Sequence, residues 1–256
     1  MDPLSFAALA AVAFCAATVQ AATGFGFAIM AVPFFLLIMG SLSAIQVTAV
    51  INFVISLVLM QRLLKDAPRR LLLHLILGSL AGFPIGLVVY RAADLNSMKL
   101  VVGMLITVFA LILLIREWRV RRSNSQPVAA NDATFVARPV PEFTVGVVSG
   151  AMAVALAMPG PVVVLYLLMR HAGKQVSRAA TLLLFAFSYG AVSLVHTLWG
   201  GMTGGSWLLA AKLAPFVIGG AILGHYATRY LSEKRFRTAV LAILIASGLY
   251  GIWTAL

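Results

Sequence analysis

Charge is scarce in this 256-residue chain: 10% of its residues are charged, against 62% hydrophobic. A soluble domain carries about 25% charged residues. This chain cannot cover a water-facing surface, and with a mean hydropathy of +1.04 it is an integral membrane protein. Acidic residues are scarcest, 7 against 19 Lys and Arg, for a net charge of +12. In a membrane protein that excess sets topology and meets anionic lipid, so no nucleic-acid partner is expected. Cys15 is the single cysteine, which excludes an internal disulfide, a cysteine-based metal cluster and a redox pair. No two histidines share metal-ligand spacing with a carboxylate or cysteine, and no phosphate-cradling glycine loop is present. Neither metal, nucleotide nor other cofactor is expected. No Asp or Glu falls within the predicted spans. Since proton- or sodium-coupled carriers often keep such a carboxylate, coupling is expected to use histidine, backbone oxygens or the substrate's own proton. With no nucleophile beside a base either, the pattern is not that of an enzyme. The N-terminal MDPLSF lacks the basic region of a secretory signal, so the segment from Leu4 is expected to be retained.

What the chain does have is long apolar runs. A spanning helix needs about 20 apolar residues. Segments are predicted at 4–22, 24–40, 43–61, 71–90, 98–115, 143–157, 159–169, 179–199, 207–227 and 238–255. All are helical, because lipid-exposed backbone must satisfy its own hydrogen bonds. Segment 159–169 is too short to cross alone, and 24–40 is marginal. Sixteen of the 19 Lys and Arg fall in four clusters: 62–70, 116–138 (around the polar stretch SNSQPVAANDATF), 170–178 and 229–237. The positive-inside rule puts these clusters in the cytoplasm and both termini outside.

The two halves resemble each other. GSLAGFPIG from Gly78 aligns with FVIGGAILG from Phe216 at an offset of 138, and Thr23-Gly24-Phe25-Gly26-Phe27 falls over Ala157-Met158-Pro159-Gly160-Pro161 at an offset of 134. The first half begins outside and the second inside. The expected fold is therefore an all-α membrane protein of about ten segments in two inverted-topology repeats of five: residues 1–116, a cytoplasmic linker 117–142, and 143–256. That is a common architecture of secondary transporters, whose sites lie at interrupted helices near the midplane. Gly24 and Gly26 permit backbone angles other residues resist, and Pro33 bends or ends a helix. Broken backbone at membrane depth is tolerated only where protein or a watery cavity surrounds it, and the N–H groups at a half-helix start favour an anion. For a single Gly-x-Gly plain helix packing is the better explanation, and it is the expected role of Gly78/Gly82/Gly86 and Gly220/Gly224. Paired breaks at equivalent places favour a site framed by both.

These residues carry a family resemblance. Thr23-Gly24-Phe25-Gly26-Phe27 followed by Val32-Pro33, then Asn52, with the repeated Gly-x3-Gly at Gly82/Gly86 and Gly220/Gly224, resembles the TauE/SafE sulfite exporter family, also called the toluenesulfonate uptake permease family. The resemblance covers nearly the whole chain. It implies a bacterial inner-membrane carrier of small anions: sulfite, sulfonates and related organosulfur or carboxylate compounds. The chain departs from the family pattern in its second half, where Met158-Pro159-Gly160-Pro161 stands in place of a second Gly-rich motif.

The candidate substrate-binding residues are Gln20, Thr23, Gly24, Phe25, Gly26, Phe27, Asn52, Met158, Pro159, Gly160, Pro161 and Lys212. Lys212 offers positive charge to an anion, although a lysine near a segment end also snorkels to the interface. Gln46, Thr48, Thr181, Ser188 and Tyr189 are neutral groups near the breaks, where a helix-to-helix hydrogen bond is the ordinary role. The expected partners are a small anionic substrate and the bilayer; whether copies of the chain associate is left open. A passive anion channel lined by the same breaks is the alternative.

Overall fold

The computed structural model describes residues 1–61, 63, 66–122, 138–227 and 253. Among them run nine helices: α1 Pro3–Thr23, α2 Phe27–Met39, α3 Ser43–Met60, α4 Arg69–Ala92, α5 Leu95–Arg122, α6 Pro139–Leu156, α7 Gly160–Met169, α8 Lys174–Leu198 and α9 Gly204–Ala227. Seven are long and apolar enough to cross a membrane; α2 and α7 are the shorter apolar pieces. Nine of the ten predicted segments thus appear. The tenth, at 238–255, apart from Trp253, and the basic cluster at 229–237 lie outside the described residues.

Several boundaries differ from the reading of the sequence, among them the start of α8, at Lys174 rather than 179. Helix α5 continues to Arg122, through the charges that marked the linker. Helix α6 starts four residues before its apolar run, at Pro139, since a proline at the first helical position costs no hydrogen bond. Pro33 lies inside α2 without ending it.

The centre of the molecule is α3 against α8. Their most apolar windows are 61% and 67% buried, against 33–44% for the other spans. Around this pair, α1 packs on α9, α4 on α6, α9 on α3 and α4 on α8; α2 lies along α1 and α3, α7 along α6 and α8, and α5 on α2. The outward faces carry large apolar side chains, such as Leu73, Leu77 and Val88 on α4 and Leu208, Ile222 and Leu223 on α9. A lipid-facing surface has that character.

Glycine makes the two outer pairings close. A Cβ on Gly78, Gly82 or Gly86 would strike the carbonyl oxygen of Phe143, Val147 or Ala151, one turn apart along α6. On the other pair, a Cβ on Gly220 or Gly224 would strike the carbonyl of Phe14 or Thr18. The expectation that these small residues serve helix packing holds.

Candidate functional site

Two helices stop and restart inside the protein. Helix α1 ends at Thr23. Gly24 caps it in the left-handed region (φ +88°), its N–H bonded to the Gln20 carbonyl at 2.7 Å. Gly26, at φ +113°, caps the start of α2. The Thr23 hydroxyl closes the turn: it lies 2.9 Å from the Val19 carbonyl, meets the Phe25 carbonyl, and receives the Phe25 N–H at 3.3 Å. Phe25 packs edge-on against Phe109 of α5. Gln20, fully buried, spans the break: its Oε1 accepts the Phe27 N–H at 3.2 Å. An N–H can only donate, so the amide oxygen must face Phe27. That leaves Nε2 turned away, buried and without a protein partner.

The second break has the same design with different residues. Helix α6 ends at Leu156, and Ala157 takes the left-handed conformation (φ +53°) that glycine takes in the first break. Pro159 precedes α7, which opens with Gly160 and Pro161. Hydroxyls hold the freed carbonyls: Tyr189 donates to Ala157 O and Ser149 to Pro159 O, each at 2.9 Å. Met158, Gly160 and Pro161 are buried, and Gly160 faces the Phe185 ring. The helix ends match at an offset of 133, one less than the sequence alignment placed them. Gly24 corresponds to Ala157 and Gly26 to Pro159.

Helix α8 ties the breaks together. Arg178 donates from Nη2 to Ala21 O at 2.8 Å, and His196 Nε2 lies 3.0 Å from Val154 O. Ala21 and Val154 are again 133 residues apart, each three residues before its left-handed cap. At 100° per residue, positions 178, 185, 189 and 196 share one face of α8. Both breaks meet that face, with Arg178 and Tyr189 about 16 Å apart along it.

The remaining candidates divide clearly. Asn52, at the middle of α3, is fully buried, and neither its amide nitrogen nor its oxygen has a protein partner. Ser56, one turn further, and Ser188 on α8 are likewise buried without partners. Their neighbours have structural work: Gln46 donates to Gly200 O at 2.9 Å, Thr48 to Ala44 O at 2.7 Å, and Tyr189 to the second break. Lys212 is exposed on α9.

The expectation that no carboxylate lies in a span is corrected by Glu142. It sits in the first turn of α6, fully buried. Its Oε1 accepts the Arg138 N–H at 2.7 Å and the Tyr166 hydroxyl at 3.4 Å, and its Oε2 lies 2.7 Å from His74 Nδ1 of α4. The sequence reading missed it because the apolar run begins at Phe143, whereas a helix favours an acidic residue in the turn before. Sequence reasoning also assigned Arg178 to a basic loop. Only the position of α1's end shows it turned inward.

An apolar exterior, interrupted interior helices and a few buried polar groups without partners in a largely apolar core mark a multi-pass membrane protein whose described residues form helices. The chain belongs to the sulfite exporter TauE/SafE family, whose model matches residues 9–251. The family is one of membrane transporters rather than enzymes. Comparison with curated proteins and with solved structures found no match.

Proposed function

We propose that this protein is a secondary transporter of small anions such as sulfite, sulfonates or related organosulfur and carboxylate compounds, working by alternating access in a bacterial inner membrane. The observation that carries the reading is Asn52: an amide at mid-span with both polar ends buried and unmatched by protein. Buried polar groups are normally hydrogen-bonded, because leaving one unpaired costs about 1–3 kcal/mol. With Gln20 Nε2, Ser56 and Ser188 it supplies neutral donors, which suit an anion that must leave again.

An inverted repeat, residues 1–116 and 143–256 with the linker between, is supported by the packing. Exchanging the halves turns α1 on α9 into α6 on α4, α9 on α3 into α4 on α8, and α3 on α8 into itself. The interlocks follow: Gly82 and Gly86 against Val147 and Ala151 become Gly220 and Gly224 against Phe14 and Thr18. The contacts of the two breaks are spread along α8, from Arg178 to His196, which suits a pathway closed at either end in turn. The residues of the two breaks, Thr23 to Phe27 and Met158 to Pro161, then line its two ends.

Purified protein in liposomes preloaded with unlabelled sulfonate should accumulate labelled sulfonate by counterflow, saturably. No uptake across sulfite, sulfonates and small carboxylates sinks the reading. Large unitary currents without counterflow make the protein a channel.

A further inference from the structure

Arg178 carries more charge than its structural role consumes. It sits in the first turns of α8, within a membrane-spanning helix, and its aliphatic stem lies over Gly24, whose added Cβ would come within 2.8 Å of Arg178 Cγ. The guanidinium donates one N–H to Ala21 O, while its Nε is buried with no partner. Among the described residues no carboxylate lies within ion-pair distance of it; the one ion pair there joins His74 to Glu142.

The helix ends at this break do not neutralise the guanidinium. The guanidinium meets the C-terminus of α1, which carries roughly half a negative charge, while the N-terminus of α2, four residues on, carries roughly half a positive one. At most part of the charge of Arg178 is met there. Arg178 is half-buried near the start of its span, and a cation in a span is costly unless it finds a partner. Its planar fork of five donors, of which the Ala21 carbonyl takes one, matches the paired oxygens of a sulfonate, sulfite or carboxylate.

We propose that Arg178 is an anion-binding residue of the transport pathway: it holds the substrate's oxygens at the α1–α2 break, beside the buried donor of Gln20. This rests on the anion-carrier reading and deepens it. It assigns the selectivity for negative charge to α8 and to one cation, so a singly charged oxyanion is the substrate class that fits.

The test uses the full chain in liposomes, with methanesulfonate counterflow as the readout. Arg178→Gln is expected to raise the half-saturating concentration at least tenfold. Arg178→Lys, which keeps the charge and loses the fork, falls between, and Arg91→Gln at the exposed last turn of α4 leaves it unchanged. A merely structural arginine would lower the melting temperature and leave half-saturation alone. Should the variants fail to fold, the unaltered protein decides. Phenylglyoxal modification of Arg178, followed by mass spectrometry, is expected to slow at least threefold with saturating methanesulfonate (sulfite itself adds to dicarbonyls). Unchanged half-saturation in a folded Arg178→Gln, or an unprotected Arg178, overturns the assignment while leaving the carrier intact. A wild-type protein that moves no anion overturns both.

Discussion

Arg178 and His196 stand five turns apart on one face of α8, and each holds the carbonyl three residues before a helix break, that of Ala21 and that of Val154. A basic side chain at a helix C-terminus meets the negative end of its dipole and the carbonyls the helix leaves unbonded. One helix therefore braces both interruptions. His196 Nε2 must carry the proton it gives to Val154, which leaves Nδ1 buried without a partner. Tyr90 packs edge-on against the ring, 4.5 Å between centroids. Movement of α8 is felt at both breaks at once.

The left-handed caps predict opposite responses to exchanging alanine and glycine. Ala157 occupies φ +53°, a conformation that costs a side-chain-bearing residue about 1 kcal/mol. Ala157→Gly should raise the melting temperature in detergent, the gain reduced by glycine's freer unfolded chain. Gly24→Ala should lower it by several degrees, since φ is +88° there and Arg178 occupies the space. A rise for both would show that these caps are not as described.

Adjacent glycines of α9 separate packing from composition. At Gly219 an added Cβ meets the Phe14 ring at 3.6 Å, an ordinary contact; at Gly220 it strikes the Phe14 backbone carbonyl. Gly219→Ala should melt like wild type. Gly220→Ala should lose on the order of 1–3 kcal/mol as α1 and α9 are forced apart. Equal melting of the two variants would contradict the close packing of these helices.

Glu142 serves three donors from three places: the Arg138 backbone, Tyr166 of α7 and His74 of α4. Replacing it by alanine takes the acceptor from all three, and because His74 keeps 29% of its side chain exposed and Tyr166 is half-buried, the loss should be on the order of 1–3 kcal/mol. A double-mutant cycle of His74→Ala and Glu142→Ala should give a coupling of about 0.5–3 kcal/mol. Strict additivity would mean that α4 and α6 are not joined through this pair.

Asn52 makes no protein hydrogen bond, so Asn52→Leu, close in size, breaks none. Removing an unpaired polar group from the interior should leave stability equal or higher. Counterflow of methanesulfonate should nevertheless fall at least tenfold. Retained transport would remove Asn52 from the pathway; a large loss of stability would show the amide to be structural.

Much of this was legible from residue order. Apolar run lengths located nine helices, and the stretches at Gly24–Gly26 and Met158–Pro161 marked both breaks, since glycine at positive φ and clustered proline are backbone signals that survive without tertiary information. The exact match of the breaks was not legible. In the second one Ala157 takes the left-handed position and no glycine marks it, so the alignment slipped by one residue. Arg178 and Glu142 were misplaced for a shared reason. Hydropathy ends a segment at the first charge, whereas a helix runs on and can turn that charge inward.

By itself the sequence determined that this protein lives in a bilayer, crosses it many times as helices, and interrupts two of them, because hydropathy and backbone permissiveness are local properties of the chain. Only the tertiary structure decided which charges are inside and which polar groups lack partners. Lys212 points outward while Arg178 braces a broken helix. Gln46 is paired across α3 and the α8–α9 turn while Asn52 is not. Those differences depend on what lies opposite each side chain once the helices pack, and no local pattern records them.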